Sequence, residues 1–290
     1  MRPTVFLGLA LALGAGGSLL PAQAAAQGKA EATREQAEAS MVLTGNIDIS
    51  PSGQVEGFSL RDEDRLESYI VGFLRDNVAQ WRFEPVLHDG QPIAARTPVS
   101  IRLLASRTPD GDTHVILKSA NFRAYDPDET DSVGKLRMPP PPYPEDVWQL
   151  GGVGEVLLLI QVARDGSVAD VVAEQVNLHV GAPTRVMQKM RDGLARSSLR
   201  AARKWSFRPP STGDNKDDLF WTVRVPVRFA REGSRERYGK WQAYLPGPKQ
   251  KAPWSVHEAD DDTAADALAE GGVYMAGVDK GPRLLTPLGG

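Results

Sequence analysis

Residues 80–85 read Gln-Trp-Arg-Phe-Glu-Pro, and residues 204–209 read Lys-Trp-Ser-Phe-Arg-Pro, so the chain writes Trp-x-Phe-x-Pro twice. Each phrase closes a stretch of helical periodicity. Before the first, Leu66, Tyr69, Ile70, Phe73, Leu74, Val78 and Trp81 recur three or four apart, which places them on one helix face. Before the second, Val186, Met187, Met190, Leu194 and Leu199 line one side in the same way. Proline has no amide hydrogen for a helical bond, so each phrase stops its helix. A tryptophan at the end of an apolar helix face reads as an anchor between helix and sheet, and Trp81 and Trp205 are expected in the core.

A hairpin pattern stands before each helix. Residues 41–49 read as a strand, Ser50-Pro51-Ser52-Gly53 as a turn, and residues 54–60 as the return strand. Correspondingly, residues 154–163 form a long apolar strand, Arg164-Asp165-Gly166-Ser167 the turn, and residues 168–176 the return. A further strand follows each Trp-x-Phe-x-Pro: residues 98–104, after the turn His88-Asp89-Gly90, and residues 220–229, after a polar loop. Residues 114–118 add one more strand to the first half. The order strand, turn, strand, helix, Trp-x-Phe-x-Pro, strand thus occurs twice, an internal duplication of longer period than a solenoid repeat. Pro98 and Pro226 interrupt the two final strands, and a missing amide hydrogen places such strands at sheet edges. Two readings follow: the edges recruit another strand, or the prolines block unwanted pairing.

The rest of the composition bounds the function. At 290 residues with 41% hydrophobic content, the length suits two domains, and a net charge of −3 gives no broad basic surface for nucleic acid. Cysteine is absent, which excludes disulfides, thiolate metal sites and cysteine nucleophiles. Arg2, the apolar run of residues 5–20 and the small residues around Ala24 read as a signal peptide over residues 1–24, hence a periplasmic protein. Residues 124–142 read as an acidic and proline-rich linker, and residues 231–290 as a mostly irregular tail, in which Trp241, Tyr244 and Trp254 are expected to dock back on the parent domain rather than bind a partner.

The sequence carries no catalytic pattern of the familiar kinds. His88, His114, His179 and His257 are far apart in sequence, with no paired spacing for zinc. Residues 126–131 alternate acids without the glycine and closing glutamate of a calcium loop. No nucleophile elbow, phosphate loop or dinucleotide fingerprint occurs, so the expectation is a non-enzyme with no cofactor and no metal. Arg185, Lys189, Arg191, Arg196, Arg200 and Arg203 make the second helix basic, a candidate contact for acidic peptide or peptidoglycan carboxylates.

Several residues of the second half form a spaced set: Tyr143-Pro144, Gly154-x-Val156, Asp165-Gly166-x-Val168, Ala201-Ala202-x-x-Trp205-x-Phe207-x-Pro209 and Val223-x-Val225-Pro226-Val227-x-Phe229. On these residues, residues 140–230 resemble the C-terminal domain of TonB, the periplasmic energy-transducing protein of Gram-negative bacteria. The first half keeps Gly45, Gly53-x-Val55, Trp81-x-Phe83-x-Pro85 and Pro98-Val99-x-Ile101, a fainter copy without the Tyr-Pro pair. The resemblance implies an α+β fold of two tandem TonB C-terminal-like domains, residues 41–120 and 143–230, each a small antiparallel sheet with a helix packed on it. It also implies binding of an extended segment of an outer-membrane receptor or transporter by strand addition. The expected docking strand is residues 220–229, with Phe220, Trp221, Val223, Val225, Val227 and Phe229 as its contacts. Transducers of the family keep an anchor whose histidine couples to ExbB–ExbD. Residues 1–24 contain no histidine, so an exported interaction module is expected. The alternatives are an uncleaved, membrane-anchored energy transducer engaging ExbB–ExbD and an envelope scaffold that binds peptidoglycan.

Overall fold

Gly53 and Gly166 adopt φ of 80° and 81°, the left-handed region that glycine enters without a Cβ penalty, and each turns the chain back into a hairpin. The computed structural model describes residues 37–107, 112–122, 126, 128–231, 238–254, 268, 272–277 and 281–288. The expected leader, residues 1–24, lies outside the described residues, as do His257 and the acidic run of residues 260–262.

The first hairpin joins β1 (Glu38–Ile49) to β2 (Val55–Leu60), and α1 (Ser68–Val78) follows. A small hairpin of β3 (Leu87–His88) and β4 (Gln91–Pro92) leads into β5 (Ala95–Arg107) and β6 (Thr113–Asn121). Next come β7 (Gly134–Arg137) and the short α2 (Glu145–Gln149). The second hairpin pairs β8 (Gly154–Ala163) with β9 (Val168–Leu178), and α3 (Thr184–Ala202), β10 (Ser206–Arg208) and β11 (Phe220–Phe229) complete that half. Two short strands come from farther on, β12 (Gln242–Tyr244) and β13 (Tyr274–Met275).

Two larger antiparallel sheets result, beside the two-stranded pairs β3-β4 and β7-β10. In the first the order is β12-β1-β5-β6, and β2 shares the β12 side of β1. In the second it is β13-β11-β8-β9. Each sheet carries its own apolar core. Ile70, Leu74 and Val78 of α1 join Leu43, Ile47, Ile101 and Leu103, while Met187, Met190 and Leu194 of α3 join Val156, Leu158, Ile160 and the apolar side of β11. Tyr69, expected on the buried face, is instead exposed, and its hydroxyl accepts the indole N–H of Trp241 at 3.3 Å.

The two Trp-x-Phe-x-Pro phrases make the same joint. Trp81 and Trp205 are buried, and their amides donate to Val78 and Ala202, closing α1 and α3. The Phe83 amide then donates to the carbonyl of Gly53 at 2.8 Å, and the Phe207 amide to that of Gly166 at 2.8 Å. Bridges between Gln54 and Arg82 and between Ser167 and Ser206 extend each contact by one residue. A Cβ on Gly53 or Gly166 would collide with the carbonyl oxygen of Phe83 or Phe207. Glycine is therefore needed here both for its φ and for the close backbone approach.

Three expectations change. Pro98 does not mark an edge strand. Its strand β5 lies between β1 and β6, and β6 begins to pair only at Ser100, so the missing amide falls just short of that ladder. The described part of the linker, residues 124–142, is tied to the second half: β7 pairs with β10, and the Trp205 indole and Ser197 hydroxyl donate to the carbonyls of Pro139 and Pro142. Proline keeps its carbonyl while lacking a donor, so side chains supply the hydrogen bonds. Finally, residues 238–250 of the expected irregular tail form a strap across both sheets. Tyr238 bonds both backbone groups of Thr44, β12 pairs with the start of β1, and Leu245 exchanges two backbone bonds with Leu178 of β9.

Candidate functional site

Strand β11 alternates apolar and polar residues, and the alternation sorts its side chains between two faces. Trp221, Val223, Val225, Val227 and Phe229 are at most 7% exposed and belong to the second core, whereas Phe220 is 43% exposed. Five of the six apolar residues expected to contact a partner thus point under the sheet. What β11 presents at its outer edge is backbone; its other face is formed by Thr222, Arg224, Pro226 and Arg228, of which Arg224 and Pro226 are themselves buried.

The direction of the backbone groups follows from one bond. Thr222 accepts the Ala276 amide at 2.8 Å, so its carbonyl points away from β8. Residues two apart in a strand share this direction, and β11 pairs with β8 from end to end without a bulge. Arg224 and Pro226 therefore also face outward. Pro226 lacks an amide only on the outer side, where the β8 ladder does not need one.

That outer side already holds a strand. β13 pairs antiparallel with β11 at Val223 and Arg224. Arg224 itself is held across the sheet: its guanidinium donates twice to the Glu174 carboxylate of β9, at 2.8 and 2.9 Å, with both side chains nearly buried. The opposite margin, β9, is lined by the strap, where the Gln250 amide donates to the Glu174 carbonyl and the Gln175 side chain to the Gly247 carbonyl.

The basic helix divides its charges. Arg191 turns inward and donates to the carbonyls of Val176, Leu245 and Pro246 at 3.2–3.3 Å; burial lowers its pKa. Arg185, Lys189, Arg196, Arg200 and Arg203 are exposed. Among the described residues, no three His, Asp or Glu side chains come together as a metal site, and no helix is long and apolar enough to cross a membrane.

The α+β arrangement of antiparallel sheets, each backed by a helix, is compatible with the proteins that this chain is similar to. No family model matches the chain. Protein TonB of Xanthomonas campestris pv. campestris (strain B100) is 34% identical over 98 residues, which cover 34% of this chain and 38% of that protein. Protein tonB2 of Pseudomonas aeruginosa is 33% identical over 98 residues, 34% of this chain and 31% of that protein. Over such a stretch the chain is similar to TonB. A match of that length supports one TonB C-terminal-like domain, and the chain spans less than two fifths of the length of these TonB relatives.

Proposed function

We propose that the chain is a non-catalytic, TonB-like interaction module of the periplasm, whose second half takes an extended segment of an outer-membrane transporter or receptor by strand addition. The observation that carries this reading is β13: a segment distant in sequence sits antiparallel on the outer side of β11. An edge that accepts one short strand has the backbone geometry to accept another. The similarity to TonB proteins supports the choice of partner class.

The same reading makes the halves two copies of one unit. Both glycine-to-phenylalanine bonds, both bridges and the strand orders β2-β1-β5 and β9-β8-β11 agree in support of it. The copies differ where it matters for binding. β6 pairs along β5 from Ser100 to Arg107, while β13 meets β11 at two positions. Strand addition is therefore assigned to the second copy, and the first is a structural partner.

The test uses the full chain and synthetic peptides copying extended N-terminal segments of TonB-dependent transporters, at saturating concentration. Binding should perturb the NMR signals of residues 222–228. Thr222→Pro removes an outward amide, as Pro226 already does, and should abolish capture while leaving the near-UV circular dichroism intact. Capture unaltered by Thr222→Pro removes β11 as the docking strand. N-terminal sequencing of the protein from cell fractions tests the location: a start near Ala25 supports an exported module, and a retained first segment makes the chain an anchored transducer.

A further inference from the structure

The occupant of the β11 edge is unusually small and specifically seated. Val273 is buried in the second core, and Met275 packs against the same core. Tyr274, between them, points the other way, its ring lying over Gly272. The register is Val223 opposite Met275 and Arg224 opposite Tyr274, with the Ala276 amide bonded to Thr222. Alternate side chains thus enter the core while the backbone pairs with the edge, which is how an added strand is recognised.

Two features keep this strand short. Toward the far end of β11, the next outward position after Arg224 is Pro226, which cannot donate to an incoming carbonyl. On the other side Gly277 turns the chain away at φ 72°. β8, by contrast, pairs along all of β11. A two-position ladder is marginal by itself; tethering to the same chain raises its local concentration and keeps it in place.

We infer that residues 272–277, Gly-Val-Tyr-Met-Ala-Gly, are a tethered surrogate ligand that occludes the β11 edge, so that a partner binds by displacing them and carries apolar side chains at two alternate positions. This inference rests on the reading of β11 as the docking strand. It adds a competition that the reading does not require. The partner's chemistry follows from the slots that Val273 and Met275 fill: an extended segment of pattern apolar-x-apolar, with small residues on each side.

The experiment adds the peptide Gly-Val-Tyr-Met-Ala-Gly to the full chain and follows the β11 amides by NMR. Two variants weaken the tethered copy. Tyr274→Pro removes its pairing amide, and the double variant Val273→Ser with Met275→Ser empties its slots while keeping the backbone. Each variant should bind the free peptide at least about tenfold more tightly than the wild type, because the tethered competitor is weakened. Replacing the peptide's valine or methionine by serine should reverse that gain. Equal binding by wild type and both variants, or none by either variant, overturns the inference. A transporter segment that binds no form of the protein, while Gly-Val-Tyr-Met-Ala-Gly binds the variants, leaves the surrogate standing and removes the transporter as partner.

Discussion

The amide of Phe207 donates to the carbonyl of Gly166 at 2.8 Å, fastening the tip of a β-hairpin to the segment that leaves the helix. The end of the helix and the hairpin are therefore held at one point, and the same fastening joins Phe83 to Gly53. Gly166→Ala places a side chain in the left-handed region and drives its Cβ into the Phe207 carbonyl. The expected loss is about 2–3 kcal/mol, from backbone strain and a weakened hydrogen bond. Urea denaturation of Gly166→Ala and Gly53→Ala should give losses of similar size, since both sites meet the same obstruction.

Arg224 and Glu174 span β8 as a nearly buried, twofold hydrogen-bonded pair. Removing one partner strands the other charge, so Glu174→Ala should cost roughly 3 kcal/mol in denaturant titrations. Replacing both, as Glu174→Leu with Arg224→Met, should recover most of that loss. A double variant no better than the single one would show that the pair's worth lies in more than its mutual charge.

Arg191 supplies hydrogen bonds to carbonyls of the strap, Leu245 and Pro246, and to Val176 of β9. Arg191→Met keeps the length and apolar stem but removes the donors. Hydrogen exchange at the amides of Leu245 and Gln250 should accelerate by about tenfold, the equivalent of one net hydrogen bond. Amides in the centre of β8 should be unaffected.

Asp165 accepts the amide and the hydroxyl of Ser167 at 2.9 and 2.6 Å, and these bonds hold its carboxylate pKa below the ordinary range. A folded-state pKa lowered in this way stabilises the fold above the unfolded pKa. The contribution disappears as pH falls through the folded value. Asp165→Ala should therefore be less stable than the wild type at neutral pH, and the two should converge as acid protonates the Asp165 carboxylate of the folded wild type. A gap that persists or widens in acid would contradict this account of the turn.

Much of this fold can be read from periodicity. The hairpins, both helices and the repeated phrase follow from alternation, from three- and four-residue spacing, and from Gly53 and Gly166 at the turns. Pro98 shows where local reading ends. A proline reports a missing donor at one residue, on one side, whereas β5 continues past it and finds β6 from Ser100 onward. Periodicity gives residues 220–229 as a strand but not which of its side chains reach the surface, because the residues of β11 with the strongest apolar signal are those its own core takes. β12 and β13 leave no periodic trace: strands of three and two residues are defined by partners far away in the chain.

The pairing of β12 with Glu38, Ala39 and Ser40 joins the first described strand to a segment that a growing chain produces some two hundred residues later. Until Tyr244 is available, the opening residues of β1 lack that neighbour, and Tyr244 also brings the hydroxyl that bonds Glu38 and Arg102. Such distant closure is slow to form. The first sheet, although earliest in synthesis, thus gains its last strand only after the second half has been made.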